Sequence, residues 1–586
     1  MLEYAVLHRH GHDLWIKVQH HGLARRRSRS GLDWDGKGHG CWDGAGVKAA
    51  ADSTPVSPIA QCDIPDACRR PPAADSRKPD SGRGHGALRS AFPSHTARAT
   101  PMPQLSVIDL AMFLLETPVR PFNIGPLVLL RPPKGARRFA DRLLERMLKQ
   151  EAGPPFNHRL QLSLTRIPSV EPMSGADLAK HVHRITLGGG GSMDELIAKV
   201  CELHEALLPR EGLLWQFYVI DGLADGRVAL YGKVHHGIID GRSFVQAVTQ
   251  WFSSDPKDRT VRAMWQGLPP SGSARRTAGH GTGRSNPTAV GAMRDLLKKA
   301  AGVGGSTLGL YRMLAAQGRR RLGLGGEALD LPFLDIPDVL SSVASPKRNY
   351  AFTTLPLGEV KALGKAADAT VNDILLAVLD GALTQHLSAQ LQLSNKPLVV
   401  DMPVALTGAS GGNQIAVLQL AMGRPGSTPR QRLAAIRKET ARVKAAVKDN
   451  SSETVMLYTT VVHALPTLLE RVGLKRPLRV SNLLFSNPFG LAGRCYLMGA
   501  EVELALPMSV VAAGQMLNIT VVTLADRLQI GLLGIPGAID HINRLATHID
   551  AAYQELKADL AATEEVPAAS TRRASKPRRT TRKAVV

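Results

Sequence analysis

Apolar residues fall at helical spacing over Ser106–Glu116, Arg137–Lys149 and Ser192–Leu208, which predicts three amphipathic helices. The third opens on Ser192 with Glu195 three residues later, the pattern of a capping box. Leu214–Ile220 and Arg227–Val234 are rich in apolar, aromatic and branched residues, and turn-forming residues at 222–226 lie between them. They predict a hairpin. Farther along, Asn349–Leu355, Leu398–Val404, Asn518–Thr523 and Leu528–Leu533 read as strands. Leu357–Ala367, Thr370–Gln390, Thr428–Val447, Ser452–Val472 and Ile539–Leu560 read as helices. Strands and helices are interspersed, so the class is α/β or mixed α+β. No repeat of roughly 20–50 residues marks a solenoid.

Three stretches break this patterning. Residues 1–101 hold 8 of the 19 His, and Cys41, Cys62 and Cys68 of the five Cys. They also hold Trp15, Trp34 and Trp42 of the six Trp. Residues 52–101 are rich in Pro, Ser, Arg, Gly and Ala. This predicts a disordered leader, or a translation start set too early, since Met102 opens the first strongly patterned segment. Residues 253–345, with PPSGSARR, GHGTGRSNP, GVGGS and a helical island at Ala292–Lys299, predict a partly helical connector. Residues 566–586 form a basic disordered tail, with seven Lys and Arg and no acid from Thr571 onward. The ordered body is then 102–252 and 346–565.

Composition narrows the class. Of 586 residues, 44% are hydrophobic and 21% charged, which excludes a wholly disordered chain and allows two sizeable cores. The net charge is +23, with +5 in the leader, +7 in the tail and +11 in the body. This excess permits nucleic acid, anionic membrane surfaces or anionic cofactors as partners and chooses none of them; nucleic acid is expected at most as a minor partner of the basic ends. Five scattered Cys exclude a disulfide scaffold. No apolar run reaches about 18 residues, which excludes a spanning helix. The start lacks a secretory pattern, so cytoplasmic residence is expected. His8 and His12 have H-x-x-x-H spacing, but Gly11 lies between them and no C-x-x-C completes a metal set.

Chemistry concentrates in VHHGIIDG. His235, His236, Asp240 and Gly241 follow the apolar run VALYGKV and precede the helical pattern GRSFVQAVTQWF. Successive strand side chains point to opposite faces, so one histidine faces a cleft while the other packs inside. Asp240 stands at an N-cap position, and Gly241 permits a tight turn into the helix. The three polar residues lack H-E-x-x-H spacing. Three readings stay open: a metal site, a structural turn, or a general base acting on a hydroxyl. A thioester donor suits the last, because a thiolate leaves without a covalent nucleophile, a simple thiol having a pKa near ~8.5. GASGG at 408–412 fits G-x-S-x-G, but the following NQIAVLQLAM reads as strand, so Ser410 is a loop residue and not the nucleophile of an elbow.

HHGIIDG matches the HHxxxDG motif of the CoA-dependent acyltransferase superfamily, and its surroundings narrow the likeness. LSVIDLAMFLLE at 105–116, the block from Leu213 to Gly241, ATVNDILLAVLDGAL at 369–383 and SNPFGLAGRCYLMGAEV at 486–502 resemble, in order, blocks of the bacterial wax ester synthase/diacylglycerol acyltransferase family. The terminal hairpin GQMLNITVVTLADRLQIGLL resembles that family too, so the likeness spans Met102 to Leu560. It implies two similarly folded lobes, each a mixed sheet with helices, and an active channel between them. It implies acyl transfer from acyl-CoA to diacylglycerol or a fatty alcohol, with His236 as general base and with acyl-CoA as a co-substrate in place of any bound cofactor. His235, Asp240 and Gly241 are then expected to hold the catalytic loop, with Asp240 facing a buried Arg. Asn372, Asp373, Ser486 and Asn487 are expected to line or brace the channel. Trp215, in the PLW-like block, is a channel candidate by that likeness, though by themselves Trp215, Phe217 and Tyr218 read as core. Peripheral contact with membrane or lipid bodies follows from such substrates. A condensation-type transferase using carrier-protein thioesters, or a non-catalytic lipid-binding homologue, is the alternative. The sequence departs from the family at Val107–Ile108, at Leu213, at Phe113 (one residue late) and in the SNPFGL block.

Overall fold

The computed structural model describes residues 5–10, 13–18, 107–161, 169–173, 175–239, 241–267, 304–340, 344–392, 394–406, 415–472, 478–488 and 490–562. It divides into one unit of Met1–Thr96 and another of Ala97–Val586. In the first, β1 (Ala5–His10) and β2 (Asp13–Val18) pair as an antiparallel ribbon, with Ala5 opposite Val18. The leader is therefore not wholly without regular structure, because alternation over these few residues suffices for a ribbon. Its remainder, the Ala292–Lys299 island, Ser410 and the basic tail lie outside the described residues.

The second unit begins with α1 (Val107–Leu115), β3 (Asn123–Arg131), α2 (Phe139–Met147), β4 (His158–Gln161) and β5 (Ser169–Pro172). β6 (Val182–Gly191), α3 (Met193–Glu205), β7 (Trp215–Leu223), β8 (Val228–His235) and α4 (Gly241–Thr249) complete the first half. After α5 (Gly304–Arg321) come β9 (Asn349–Pro356), α6 (Leu357–Ala366), α7 (Val371–Ala389), β10 (Val399–Ala405), β11 (Ile415–Ala421) and α8 (Pro429–Asp449). The chain continues through α9 (Ser452–Arg471), β12 (Leu483–Ser486), β13 (Tyr496–Leu497) and β14 (Ala500–Met508). It ends with β15 (Leu517–Leu524), β16 (Arg527–Gly534) and α10 (Ile542–Ala561).

Two six-stranded mixed sheets result, ordered β13-β14-β3-β8-β7-β6 and β11-β10-β12-β15-β16-β9. The first is not built from residues 102–252 alone. β14, from the second half of the chain, runs antiparallel to β3 from Glu501 opposite Arg131 to Met508 opposite Gly125, with a register shift between Val502 and Leu504, so the division at 252 and 346 does not divide the sheets. β3 and β14 meet at Pro126 opposite Pro507, and prolines within strands mask them in a reading by propensity.

Alternation explains the layers. Val228, Leu230 and Val234 of β8 join the core beneath α2 and α4. Ala229 and Tyr231 point the other way, into a core shared with Tyr350 of β9 and Leu533 of β16. The sheets are thus joined through a common apolar layer. α7 is buried on nearly every side, as suits a helix at the centre of the second lobe. Among the described residues, no helix is long and apolar enough to cross a membrane.

Candidate active site

β8 ends on His235, a short 3-10 turn covers His236–Ile238, and α4 starts at Gly241. The turn is tied down on both sides: the His235 N–H donates to Leu214 O at 3.0 Å and the His236 N–H to Phe122 O at 2.8 Å. The two rings part company there. His235 is buried, and its ring stacks on Phe113 with centroids 4.2 Å apart and planes 5° apart. Its Nδ1 accepts the Gly237 N–H at 3.0 Å, which places the proton of the neutral ring on Nε2. Nε2 faces Glu116 Oε1 at 3.5 Å.

Glu116 ties this inner shell together. It accepts the Phe122 N–H at 2.9 Å and an Arg210 N–H at 2.7 Å. Burial alone would lift its carboxyl, but the His235 ring, the Phe122 N–H and the Arg210 guanidinium outweigh burial and hold it below its ordinary value. Phe113 and Glu116 lie three residues apart on and just beyond α1, hence on one face. Behind them, Lys233 Nζ donates to Leu203 O at 2.7 Å and Ala206 O at 2.8 Å, and Asn123 Nδ2 donates to His204 O and Ala206 O at 2.9 Å each. These bonds satisfy carbonyls at the C-terminal end of α3, and burial pulls Lys233 down to about 8. His204 bridges Tyr231 OH at 2.7 Å and Ser509 O at 3.0 Å, and burial pulls it down to about 3, so it is neutral.

His236 faces the opposite way, into a cavity of about 130 Å³ walled by both halves of the chain. Ile124–Pro126 of β3 and Phe244, Val245 and Val248 of α4 form one side. Pro507 and Met508 of β14 continue that side next to β3, and Ser486 at the end of β12, Pro488 and Gly490 beyond it, and Thr520 and Thr523 of β15 line the cavity from the other sheet and its loop. A few hydroxyls and one imidazole in an apolar wall suit a ligand with a long apolar body and a small polar reacting group.

Two glycines permit this closeness. A Cβ on Gly125 would lie 1.7 Å from Gly232 O, and one on Gly490 would lie 2.0 Å from Thr523 O. Gly125→Ala is expected to destabilise the second unit by more than about 2 kcal/mol, since rigid backbone must move; chemical denaturation would register this as a lower midpoint.

The remaining expected residues separate into three groups. Gly241 and Ser486 line the cavity beside His236. Asn487 Nδ2 donates to Asn372 Oδ1 at 2.8 Å, joining the start of α7 to the loop that follows Ser486 of β12. Asp373 does not reach the cavity: it closes the capping box with Thr370 and accepts Thr440 Oγ1 at 2.8 Å, so it pins α7 to α8. Trp215 is likewise absent from the cavity. It is buried in the first core, stacks on Trp265 and donates to Phe156 O at 2.7 Å, because its strand position points it away from the shared layer. Asp240 lies outside the described residues. Sequence reasoning missed Glu116 and Arg210, whose link to His235 crosses about a hundred residues, and the wall formed by β14.

Two sheets enclosing a cavity at the second histidine of an HHxxxDG turn form the arrangement of a two-lobed acyltransferase. Residues 105–375 match the wax ester synthase/diacylglycerol acyltransferase catalytic domain, and residues 411–557 match the C-terminal domain of the same family. The probable diacylglycerol O-acyltransferase Tgs4 of Mycobacterium tuberculosis is 30% identical over 469 residues, covering 79% of this chain and 98% of that protein. The wax ester synthase/diacylglycerol acyltransferase from Marinobacter aquaeolei VT8 shares the fold, with a TM-score of 0.59 and 24% identity, over 78% of this chain and 100% of that one. The chain belongs to the wax ester synthase/diacylglycerol acyltransferase family and is an acyltransferase of that type.

Proposed function

We propose that the protein moves a long-chain acyl group from acyl-CoA to the hydroxyl of diacylglycerol, forming triacylglycerol, or of a fatty alcohol, forming a wax ester. One observation carries this reading: of the paired histidines, His236 is the one on the cavity that both lobes wall.

The chemistry follows from that position. His236 takes the proton of the acceptor hydroxyl as its oxygen attacks the thioester carbonyl, forming a C–O bond and a tetrahedral oxyanion. The intermediate collapses, the C–S bond breaks, and His236 returns the proton to the sulfur of departing CoA. Such proton transfer is worth about 10²–10⁴-fold, and positioning of the two bound reactants supplies much of the remainder. His235 is a positioning residue. Its Nδ1 holds the Gly237 N–H and thereby shapes the turn that presents His236. Ser486 and the Asn487–Asn372 bridge brace the facing wall. The basic body favours the phosphates of CoA.

The test is release of free thiol from a long-chain acyl-CoA by the purified chain. Release is expected only when diacylglycerol or a fatty alcohol is supplied. Preference for a carrier-protein thioester, or no turnover with any acceptor, would overturn the assignment.

A further inference from the structure

α9 carries a stripe at alternating spacings of four and three: Thr454, Tyr458, Val461, Leu465, Leu468 and, at its cap, Val472. The spacing keeps all six on one face of the helix. α5 covers the first two. A Cβ on Gly309 would lie 2.3 Å from Thr454 Oγ1, and Gln317 Nε2 donates to Tyr458 OH at 3.4 Å. The remaining four leave the cover of α5 and are between 38% and 76% exposed. α1 packs against α9 and adds Leu114, 45% exposed, one residue from the Phe113 ring that stacks on His235.

The helix packed beside this stripe is basic. α5 has four Arg and no acidic residue. Its Arg312 and Arg319 are exposed, and among the described residues neither has a carboxylate partner. The other two, Arg320 and Arg321, are paired with Asp330 and Asp335. Glu470, near the end of the stripe, is engaged with the buried Arg120 at 3.3 Å. The exposed apolar area, Leu114 included, is roughly 400 Å², about half of the roughly 800 Å² that one side of a stable protein–protein interface buries. That is too little for a second copy of the chain, and it suits a helix face that dips into the headgroup boundary of a lipid layer.

We infer that the exposed face of α9, with Leu114 of α1, docks the enzyme on an anionic lipid surface. The inference rests on the proposed reaction for its lipid substrates, and it names the face that meets them. Insertion of the stripe sets α1, which braces the histidine turn, against the lipid.

The experiment is flotation of the full chain with vesicles of equimolar phosphatidylcholine and phosphatidylglycerol. The wild type is expected to float with them, and to float less with phosphatidylcholine alone or at high salt. The double variant Leu465→Glu/Leu468→Glu is expected to lose at least about tenfold in vesicle affinity, because two apolar side chains no longer leave water. Leu465 and Leu468 are 38% and 50% exposed, so thermal unfolding is followed alongside, and Val472→Glu, at a site 76% exposed, is expected to weaken flotation with the wild-type unfolding midpoint. Leu391→Glu, at a site 85% exposed elsewhere on the chain, should float as the wild type does. Undiminished flotation of the double variant overturns the assignment. A change from dimer to monomer on substitution, or new proteolysis within residues 268–303, overturns it in favour of a second copy or of the chain's own connector as the occupant. Vesicle binding is read without turnover. Loss of flotation in the double variant of a chain that acylates no acceptor would therefore leave the docking face standing while the proposed reaction fell.

Discussion

His236→Ala is expected to slow acyl transfer by about 10²–10⁴-fold while leaving the unfolding midpoint within experimental error. The ring lies on a cavity wall, and the turn is fixed by bonds outside that ring, from the His236 N–H to Phe122 O and from the Gly237 N–H to the His235 side chain at Nδ1. Removing the imidazole leaves those bonds in place, so circular dichroism should not change. Thiol release from acyl-CoA in the presence of diacylglycerol is the measurement. A variant with an unchanged rate would remove proton transfer by His236 from the mechanism.

Glu116→Ala should have the second large effect, on stability and activity together. The carboxylate is buried, and the substitution strands the Phe122 N–H, the Arg210 guanidinium and the Nε2 face of His235. Breaking a buried charged pair from one side costs about 3–5 kcal/mol. Glu116→Gln keeps the shape and an acceptor for Phe122 but loses the charge, and should fall between. The sign with pH follows from the lowered carboxyl. Its ordinary value is 4.5 and the folded value lies below that, so the stabilisation is fully present above 4.5 and is lost as pH falls through the folded value. Urea midpoints of the wild type and the Gln variant should therefore converge on acidification below 4.5. Parallel curves would show that the charge of Glu116 contributes nothing.

Much of the local structure was legible because local rules produce it. Ser192 caps α3 through the Glu195 N–H, and Thr370 and Asp373 close the box that starts α7. The hairpin of β7 and β8 and the late hairpin of β15 and β16 stand where apolar alternation placed them. The divergent facing of His235 and His236 follows from strand alternation as β8 ends. What escaped notice is non-local. β3 and β14 each carry a proline at their meeting point and pair across most of the chain, so neither has a readable period by itself. Glu116 looked like the end of an amphipathic helix, and only folding brings it beside His235. Phe113, one residue out of step with the family pattern, is the residue that stacks on that ring. Trp215 illustrates the converse: motif membership placed it near substrate, whereas its facing on the strand commits it to the core.

The late contribution of β14 has a consequence for biogenesis. During synthesis β3 emerges early, yet its outer neighbour is encoded only after the helices α5 to α9. Until residues 500–508 leave the ribosome, the rim of β3 presents unsatisfied backbone groups, a template for pairing with other nascent chains. At ordinary elongation speeds that interval lasts tens of seconds. Truncations before this strand should accordingly yield aggregates, not a soluble amino-terminal lobe.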